Sequence, residues 1–277
     1  MESTSLQEGA RPWLTVVVPA YNEAARIAAP LAAIHAFLQA QPWPSEVVVV
    51  DDGSADATFA LVREVARDWT LPVRAFRYQP NAGKGYAIKY GIAHARGERI
   101  LFTDADLSTP IDEATRLLAA LDAGADVAIG SRKMAGAHIT RHQPWLRERL
   151  GKIFTWMVRK LIADVSDVTC GFKAFRGEAA HDIFSRVRVF DWSFDAEVLL
   201  LVRQLGYRLS EVPVDWADCA GTKVRLGRDV LRSLEGLLRI RGNAARGLYA
   251  TPTGLSRDAE TWESLAATRA PATTPAR

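Results

Sequence analysis

Two carboxylates with one residue between them follow an apolar, strand-like run in the sequence Phe102-Thr103-Asp104-Ala105-Asp106. The backbone turns where a strand ends, so Asp104 and Asp106 can converge on one small volume. Carboxylate oxygens are hard ligands that select Mg²⁺ or Mn²⁺, and these ions usually bind together with substrate phosphates. The pair therefore predicts a divalent metal site, with a solvated acidic loop as the alternative.

Short β-branched runs alternate with longer stretches that carry apolar residues at helical spacing. The predicted strands are residues 14–19, 46–50, 73–78, 99–103 and 127–130, and the predicted helices are residues 24–40, 55–69, 86–95 and 111–123. Strands and helices alternate in this way in βαβ units. The sequence therefore predicts an α/β fold with a mainly parallel, Rossmann-like sheet and helices on both faces.

Charged and polar side chains follow the predicted strands, where ligands bind in parallel sheets. They are Asn22 and Glu23, Asp51 and Asp52, Asn81 and Lys84, Asp104 and Asp106, and Arg132, in strand order. Acids after the second and fourth strands, with a lysine after the third, suit a nucleoside diphosphate with its metal. The alternative is local: Asn22, Ser54 and Asp56 as helix N-caps and Gly53 as a turn glycine.

The composition is that of a globular α/β protein. The chain has 277 residues, of which 48% are apolar and 24% charged, and its net charge of +3 gives no support for a nucleic-acid binder. Two cysteines, Cys170 and Cys219, argue against a disulfide framework and favour a cytoplasmic compartment. No Gly-x-Gly-x-x-Gly follows the first predicted strand, which argues against a nicotinamide-dependent oxidoreductase.

Two segments beyond residue 132 combine apolar residues at helical spacing with many basic side chains. Residues 143–163 contain two tryptophans among five basic residues, and residues 224–246 contain six arginines. This composition is typical of amphipathic helices on an anionic membrane surface. The alternative is a core-packing helix with a solvated basic face. We expect disorder in residues 1–11 and in the tail 251–277, and no transmembrane helix, because no run of 18 apolar residues occurs.

Nine short motifs occur in order between residues 14 and 240. They are residues 18–23 (VPAYNE), 50–54 (VDDGS), 81–85 (NAGKG), 103–107 (TDADL), 130–132 (GSR), 170–173 (CGFK), 192–197 (WSFDAE), 212–216 (VPVDW) and 221–223 (GTK). Together they resemble the family 2 inverting glycosyltransferases of the GT-A fold, and within them the dolichyl- or polyprenyl-phosphate glucosyl- and mannosyltransferases. The CGFK and WSFDAE motifs resemble the dolichyl-phosphate glucosyltransferase branch more than the mannosyl one.

The resemblance implies a nucleotide-sugar site made by Pro19, Tyr21, Glu23, Asp51, Asp52, Lys84 and Asp104. Within it, Glu23 would lie near the ribose and Asp52, helped by Asp51, would accept a hydrogen bond from the base. Asp104 and Asp106 would hold Mg²⁺ or Mn²⁺ with the pyrophosphate. Ser108 stands where related mannosyl enzymes often have a metal-binding glutamine, which leaves the third protein ligand open.

The implied acceptor is a polyprenyl phosphate bound by Arg132, Arg147 and Lys223. Guanidinium groups bind phosphate in a bidentate manner, so Arg132 and Arg147 join Asp104 and Asp106 as the expected catalytic residues. Gly151 departs from the pattern, because related enzymes can carry a serine there that faces the acceptor phosphate.

The implied reaction is inverting transfer of glucose from UDP-glucose to a polyprenyl, dolichyl-type phosphate. The alternatives are transfer of mannose from GDP-mannose, or transfer to a lipid or glycan hydroxyl with Asp191, Asp195 or Glu197 as the base. Residues 12–250 would form the catalytic domain, with a nucleotide-sugar half at 12–132 and an acceptor- and membrane-facing half at 133–250. We expect peripheral attachment at the cytoplasmic face of an anionic membrane.

Overall fold

The computed structural model describes residues 11–141, 145–219, 226–264 and 266. Its strands are β1 (Leu14–Ala20), β2 (Ser45–Asp51), β3 (Val73–Arg77), β4 (Arg99–Phe102), β5 (Val127–Ser131), β6 (Ile139–Arg141), β7 (Lys173–Arg176), β8 (Leu209–Pro213), β9 (Trp216–Ala217) and β10 (Glu260–Glu263). Its helices are α1 (Ala28–Gln39), α2 (Thr58–Ala66), α3 (Lys84–His94), α4 (Ala114–Asp122), α5 (Trp145–Leu161), α6 (Gly177–Arg186), α7 (Phe194–Gln204) and α8 (Leu226–Ala245), with short 3₁₀ turns at Ile111–Glu113 and Leu248–Ala250.

Eight strands form one sheet in the order β10-β3-β2-β1-β4-β7-β5-β8, and β6 pairs with β9 in a separate ribbon. The pairs β1/β2, β1/β4, β2/β3 and β5/β8 are parallel, whereas β7 is antiparallel to both β4 and β5. The prediction of a mainly parallel α/β sheet is confirmed. Because β1 to β5 run in the same direction, their carboxyl ends meet at one edge of the sheet.

Helices cover both faces of the sheet, as predicted. All seven residues of β1 and all seven of β2 are buried, which explains their continuous rather than alternating apolar sequence. One apolar core packs α3, α6 and α7 against the sheet, and the other packs α1, α2 and α4 against the opposite face. The first core also contains residues of α5 and α8. One face of each of these two basic helices therefore packs in the core, as the alternative to a membrane-surface helix predicted.

The prediction of a disordered tail from residue 251 is wrong for residues 251–264. Strand β10 pairs with β3 in antiparallel register, with Glu260 opposite Arg77 and Glu263 opposite Arg74. The backbone N–H of Ser256 donates to the Tyr86 hydroxyl at 2.9 Å. The segment is polar, so its sequence carries no apolar periodicity; partners far away in the sequence hold it. Residues 1–10 lie outside the described residues, and the division at residue 132 stays a prediction.

Lys89 of α3 holds the start of this C-terminal segment. Its side chain is buried, and its ammonium group donates to Thr253 Oγ1 at 2.6 Å and to the carbonyls of Val187 and Ser185 at 3.0 and 3.2 Å. Burial lowers the pKa of Lys89 to about 8, although the carboxylate of Glu197 acts in the opposite direction. One buried ammonium group thus joins α3, the end of α6 and the C-terminal segment.

None of the described helices is long and apolar enough to span a bilayer.

The buried ammonium group of Lys89 predicts a pH dependence of stability. The unfolded chain binds this proton with the ordinary lysine pKa of 10.5, whereas the folded protein binds it more weakly. The free energy of unfolding should therefore rise between about pH 8 and pH 10.5, by roughly 3 kcal/mol in total. Denaturant unfolding of the wild type and of Lys89→Met across this pH range measures the effect. The variant should be less stable and lack this rise; an equal rise in both proteins would contradict the assignment.

Candidate active site

The carboxylate of Asp52, directly after β2, organises the loop that follows β3. Its Oδ1 accepts hydrogen bonds from the Tyr78 hydroxyl at 2.9 Å and from the Ala82 N–H at 2.7 Å. Its Oδ2 accepts from Asn81 Nδ2 at 2.8 Å and from the Gly83 N–H at 3.0 Å. Burial raises the pKa of Asp52, and these hydrogen bonds oppose that rise.

Asp52 is therefore engaged within the protein at all four acceptor positions of its carboxylate. The role of base acceptor that the resemblance implies for Asp52 stays a prediction, and it requires one of these bonds to give way. Gly53 fits the turn interpretation: its φ is +71°, and a Cβ atom there would lie 2.8 Å from the backbone nitrogen of Asn81. This close approach brings the loops after β2 and β3 together.

Asn22 joins the ends of β1 and β2, and Asp51 joins the turn after β2 to the end of β3. Asp51 is fully buried, and its Oδ1 accepts from the Ser54 N–H at 2.9 Å while Oδ2 lies 3.6 Å from Arg77 Nε. The Asn22 N–H donates to Ser54 Oγ at 2.8 Å, and Asn22 Oδ1 accepts from the Ala55 N–H at 2.8 Å. Asn22 and Ser54 thus link two loops, and neither is the N-cap of α1 or α2.

The residues predicted to line the nucleoside pocket lie at the end of β1. Pro19 is buried within the strand, and Tyr21, directly after it, is 39% exposed. Glu23 is fixed from two directions, because its N–H donates to Thr58 Oγ1 at 2.8 Å and its carboxylate pairs with Arg26. The segment from Tyr21 to Glu23 therefore combines an exposed ring with a fixed, largely buried carboxylate.

Arg26 is a site residue that the sequence interpretation missed. It donates through NH2 to Glu23 Oε1 at 2.9 Å, and its NH1 lies 3.8 Å from Asp106 Oδ2. The hydrogen bond that Arg26 donates to Glu23 raises the pKa of Arg26 more than burial lowers it, and Asp106 adds to the rise. The one available signal was its position three residues after Glu23, on the same face of a helical turn. The side chain joins the end of β1 to the end of β4.

Lys84 forms an ion pair with Asp104, which brings together the loops after β3 and β4, although β2 and β1 lie between these two strands in the sheet. Burial alone would lower the pKa of Lys84, but Asp104 and Asp195 together hold it above its usual value. The ammonium group therefore stays charged at neutral pH. A cation fixed in this position suits a site for phosphate groups.

Gly171 of the CGFK motif lies directly against the Asp104 carboxylate, and a Cβ atom at this position would overlap both carboxylate oxygens. Lys173 fixes the loop that carries Gly171, because its buried ammonium group donates to the carbonyl of Cys170 at 2.6 Å and pairs with Asp195. Lys173 and Asp195 are thus structural, an interpretation that the sequence had left open. The requirement for glycine beside Asp104 was not visible in the sequence.

Asp104 and Asp106 match the donor chemistry of a Mg²⁺ or Mn²⁺ site. Asp106 Oδ1 accepts from the Ser108 N–H at 3.0 Å, which orients the carboxylate. Leu107, between Asp106 and Ser108, has a φ of +46° and turns the chain. Among the described residues no group of three or more Asp, Glu, His or Cys side chains could hold a metal. Two hard oxygen donors fit an ion whose remaining ligands come from a diphosphate and water.

Arg132, after β5, is held by Asp167. Its Nε and NH2 donate to the Asp167 oxygens at 2.6 and 2.8 Å, NH2 also donates to Thr169 Oγ1 at 3.0 Å, and the guanidinium lies over the ring of Trp216. Although burial would raise the pKa of Asp167, Arg132 holds it below its usual range. The guanidinium is thus rigidly positioned, but its bidentate edge faces Asp167, and its role toward an acceptor phosphate stays a prediction.

The other two residues predicted to bind the acceptor phosphate stay predictions. Arg147 lies within α5, where side chains are described from Arg149 onward, and Lys223 lies outside the described residues. Gly151 lies in the same helix, with open space around the position of a Cβ atom.

Comparisons with known proteins agree with this architecture. A family model described as glycosyl transferase family 2 matches residues 15–184, more than half of the chain. The dolichyl-phosphate beta-glucosyltransferase of Drosophila melanogaster is 33% identical over 260 residues, which cover 85% of this chain and 80% of the relative. That of Dictyostelium discoideum is 30% identical over 263 residues, which cover 88% and 80%.

Solved structures show the same fold. Glucosyl-3-phosphoglycerate synthase from Mycobacterium tuberculosis, solved with Mn²⁺, uridine diphosphate and glucosyl-3-phosphoglycerate, has a TM-score of 0.61. It is 17% identical, and the match covers 93% of this chain and 91% of that one. The expectation of a GT-A fold is confirmed. The motif order, the sheet and these relatives lead to one conclusion: the chain belongs to glycosyl transferase family 2.

Proposed function

We propose that this protein transfers glucose from UDP-glucose to a polyprenyl, dolichyl-type phosphate with inversion at the anomeric carbon. The observation that carries the proposal is the pair of carboxylates after β4, each with a cation beside it: Lys84 at Asp104 and Arg26 at Asp106. The two carboxylates suit a metal ion, and the two cations suit the diphosphate that would bind with it. Relatives at 30 to 33% identity that carry the name dolichyl-phosphate beta-glucosyltransferase support the choice of sugar and acceptor.

The donor would bind along the edge where β1 to β4 end. The segment from Tyr21 to Glu23 would bind the nucleoside, and the diphosphate would lie between Lys84 and Arg26. Both cations are charged at neutral pH, since their ordinary pKa values lie far above 7 and the neighbouring carboxylates raise these pKa values further. They would attract the diphosphate and orient its leaving oxygen.

Asp104 and Asp106 would hold Mg²⁺ or Mn²⁺, which stabilises negative charge on the departing nucleoside diphosphate when it is bound. The Mn²⁺ of the M. tuberculosis structure supports this proposal for the present chain. The chain's own part is positional: the Ser108 N–H orients Asp106, and Gly171 leaves the space that Asp104 occupies.

A phosphate acceptor needs no general base. Its second pKa is about 6, so its oxygen is already ionised at neutral pH and can attack the anomeric carbon directly. The candidate bases for a hydroxyl acceptor are occupied: Asp195 pairs with Lys173, and Glu197 accepts from the Tyr249 hydroxyl at 2.6 Å and from two backbone N–H groups. Asp191 pairs with Arg239. These contacts favour the phosphate acceptor, for which Arg132, Arg147 and Lys223 are the proposed cations.

We also propose peripheral attachment to the cytoplasmic face of a membrane through α5 and α8. Phe154 and Val158 of α5 pack in the core, whereas Ile153 and Trp156 are 54% and 61% exposed. Leu238 of α8 is 70% exposed. Exposed apolar side chains among basic residues suit the boundary between lipid headgroups and acyl chains.

The choice of donor can be tested with radiolabelled UDP-glucose and GDP-mannose and a polyprenyl phosphate acceptor. We expect labelled lipid product from UDP-glucose alone, and alkaline phosphatase treatment of the acceptor should abolish it. Product from GDP-mannose alone would establish the mannosyl alternative, and product from neither donor would refute the proposed reaction.

Asp106→Asn should reduce turnover by roughly 100-fold or more, because the amide keeps the shape of the side chain but removes the charge that would hold the metal. Steady-state rates at saturating donor and Mn²⁺, with thermal unfolding as the measure of stability, test this. Asp68→Asn, an exposed aspartate after α2, is the matched control and should keep full activity. Undiminished turnover of Asp106→Asn would remove the metal role.

Gly171→Ala should displace the Asp104 carboxylate, because the added methyl group overlaps its oxygens. We expect a higher Mn²⁺ concentration for half-maximal activity and a lower kcat. Gly242→Ala is the matched control, since it adds the same methyl group in α8, where nothing lies within 4 Å. If both variants show the wild-type Mn²⁺ dependence, Gly171 does not position Asp104.

A further inference from the structure

A basic cavity of about 550 Å³ opens between α5 and Lys133. Four basic side chains and a single carboxylate, Asp164, are among the residues that line it; the basic ones are Lys133, Lys152, Arg159 and Lys160. The lining thus carries a clear excess of positive charge, which suits an anionic ligand.

Hydrogen bonds fix the wall of this cavity. Lys133 Nζ donates to Thr155 Oγ1 at 2.8 Å, which holds the ammonium group against α5. Ser166, which also lines the cavity, donates its N–H to both carboxylate oxygens of Glu211 at 2.9 Å, and its hydroxyl donates to the same carboxylate and lies 2.8 Å from that of Ser131. Part of the lining is therefore held in place by hydrogen bonds, and the cavity is not merely a charged surface.

Arg159 is available to a ligand at the mouth of the cavity. Its one described carboxylate partner is Asp164, at 2.8 Å, and the two side chains are 53% and 80% exposed. Ion pairs with this exposure contribute little, about 0 to 1 kcal/mol. A phosphate group, with its double negative charge and bidentate acceptors, competes well for such a guanidinium.

Arg132 and the cavity use different side chains. Arg132 and Lys133 are neighbours in the chain, but Arg132 pairs with Asp167 and Thr169, whereas Lys133 reaches Thr155. Neither Arg132 nor Asp167 is among the described residues that line the cavity. A ligand in the cavity would therefore contact other side chains than an acceptor phosphate at Arg132.

Exposed apolar side chains of α5 lie beside the charged ones. Trp156 lines the cavity and is 61% exposed, and Ile153, one turn earlier on α5, is 54% exposed. Tryptophan favours the boundary between lipid headgroups and acyl chains because its ring is apolar and its N–H is polar. A basic cavity with exposed apolar side chains beside it matches the chemistry of a phospholipid, whose phosphate lies just above its acyl chains.

We propose that this cavity binds the headgroup phosphate of an anionic phospholipid while Trp156 and Ile153 enter the interfacial layer. The inference rests on the proposed membrane attachment but not on the proposed donor, acceptor or reaction. It identifies a lipid site that docks the enzyme beside its lipid substrate.

Vesicle sedimentation with the full chain tests the proposal. The cavity variant, Lys152→Gln/Lys160→Gln, removes two charges from the cavity. The control, the α2 variant Arg63→Gln/Arg67→Gln, removes two exposed charges at the C-terminal end of α2, on the other face of the sheet. Each basic residue near an anionic surface contributes about 1 kcal/mol, so the cavity variant should bind phosphatidylglycerol-containing vesicles roughly 10- to 30-fold more weakly. The α2 variant should bind them like the wild type, and neither change should alter weak binding to pure phosphatidylcholine.

Equal losses of vesicle binding in the cavity and α2 variants, or no loss in the cavity variant, would overturn the proposal. A phosphate titration and a turnover assay separate the remaining alternatives. If the cavity variant loses binding of inorganic phosphate in titration calorimetry but keeps vesicle binding, the cavity is a site for soluble phosphate and the lipid assignment is wrong.

Turnover with a short-chain, water-soluble polyprenyl phosphate distinguishes this site from the acceptor site. The cavity variant should transfer sugar to this acceptor at the wild-type rate, and a matching loss there would assign the cavity to the acceptor. A wild-type enzyme that binds vesicles through the cavity but transfers no sugar would refute the proposed reaction and leave the lipid site intact.

Discussion

The whole structure depends on the parallel arrangement of β1 to β4, which brings four strand ends to one edge of the sheet. The strands are buried on both faces, so their side chains cannot do chemistry, and the polar groups gather where the strands stop. Concentrated acidic groups need compensation. Lys84 supplies it for Asp104 and Arg26 for Asp106, so the same charges that hold the edge together also suit the proposed diphosphate and metal.

Buried charges around this edge position its loops. Asp52 holds the loop after β3 through four hydrogen bonds, and the pair of Lys173 and Asp195 holds the loop of Gly171 beneath Asp104. A buried ion pair adds little to stability, because desolvation offsets its attraction, but removal of one partner is costly. These groups therefore specify the geometry of the site more than they stabilise the fold.

The proposed membrane attachment would connect this chemistry to a lipid surface through α5 and α8. Each buries one face in the core that contains α3, α6 and α7, and each leaves apolar side chains exposed on the other. Lys133, the residue after Arg132, forms part of the wall of the basic cavity beside α5. Attachment at this surface would present a lipid-phosphate acceptor near the proposed donor site.

The sequence by itself determined the alternation of strands and helices, the mainly parallel sheet and the charged strand ends, because these features depend on local periodicity and on residue type. The pairing of Lys84 with Asp104 did not follow, because β2 and β1 separate β3 from β4 in the sheet and only the folded loops bring the two side chains together. Tertiary structure alone decided the antiparallel insertion of β7, the pairing of β10 with β3, the bridge from Arg26 to Asp106 and the need for glycine at position 171. Each of these depends on contact between residues far apart in the chain, which no local pattern records.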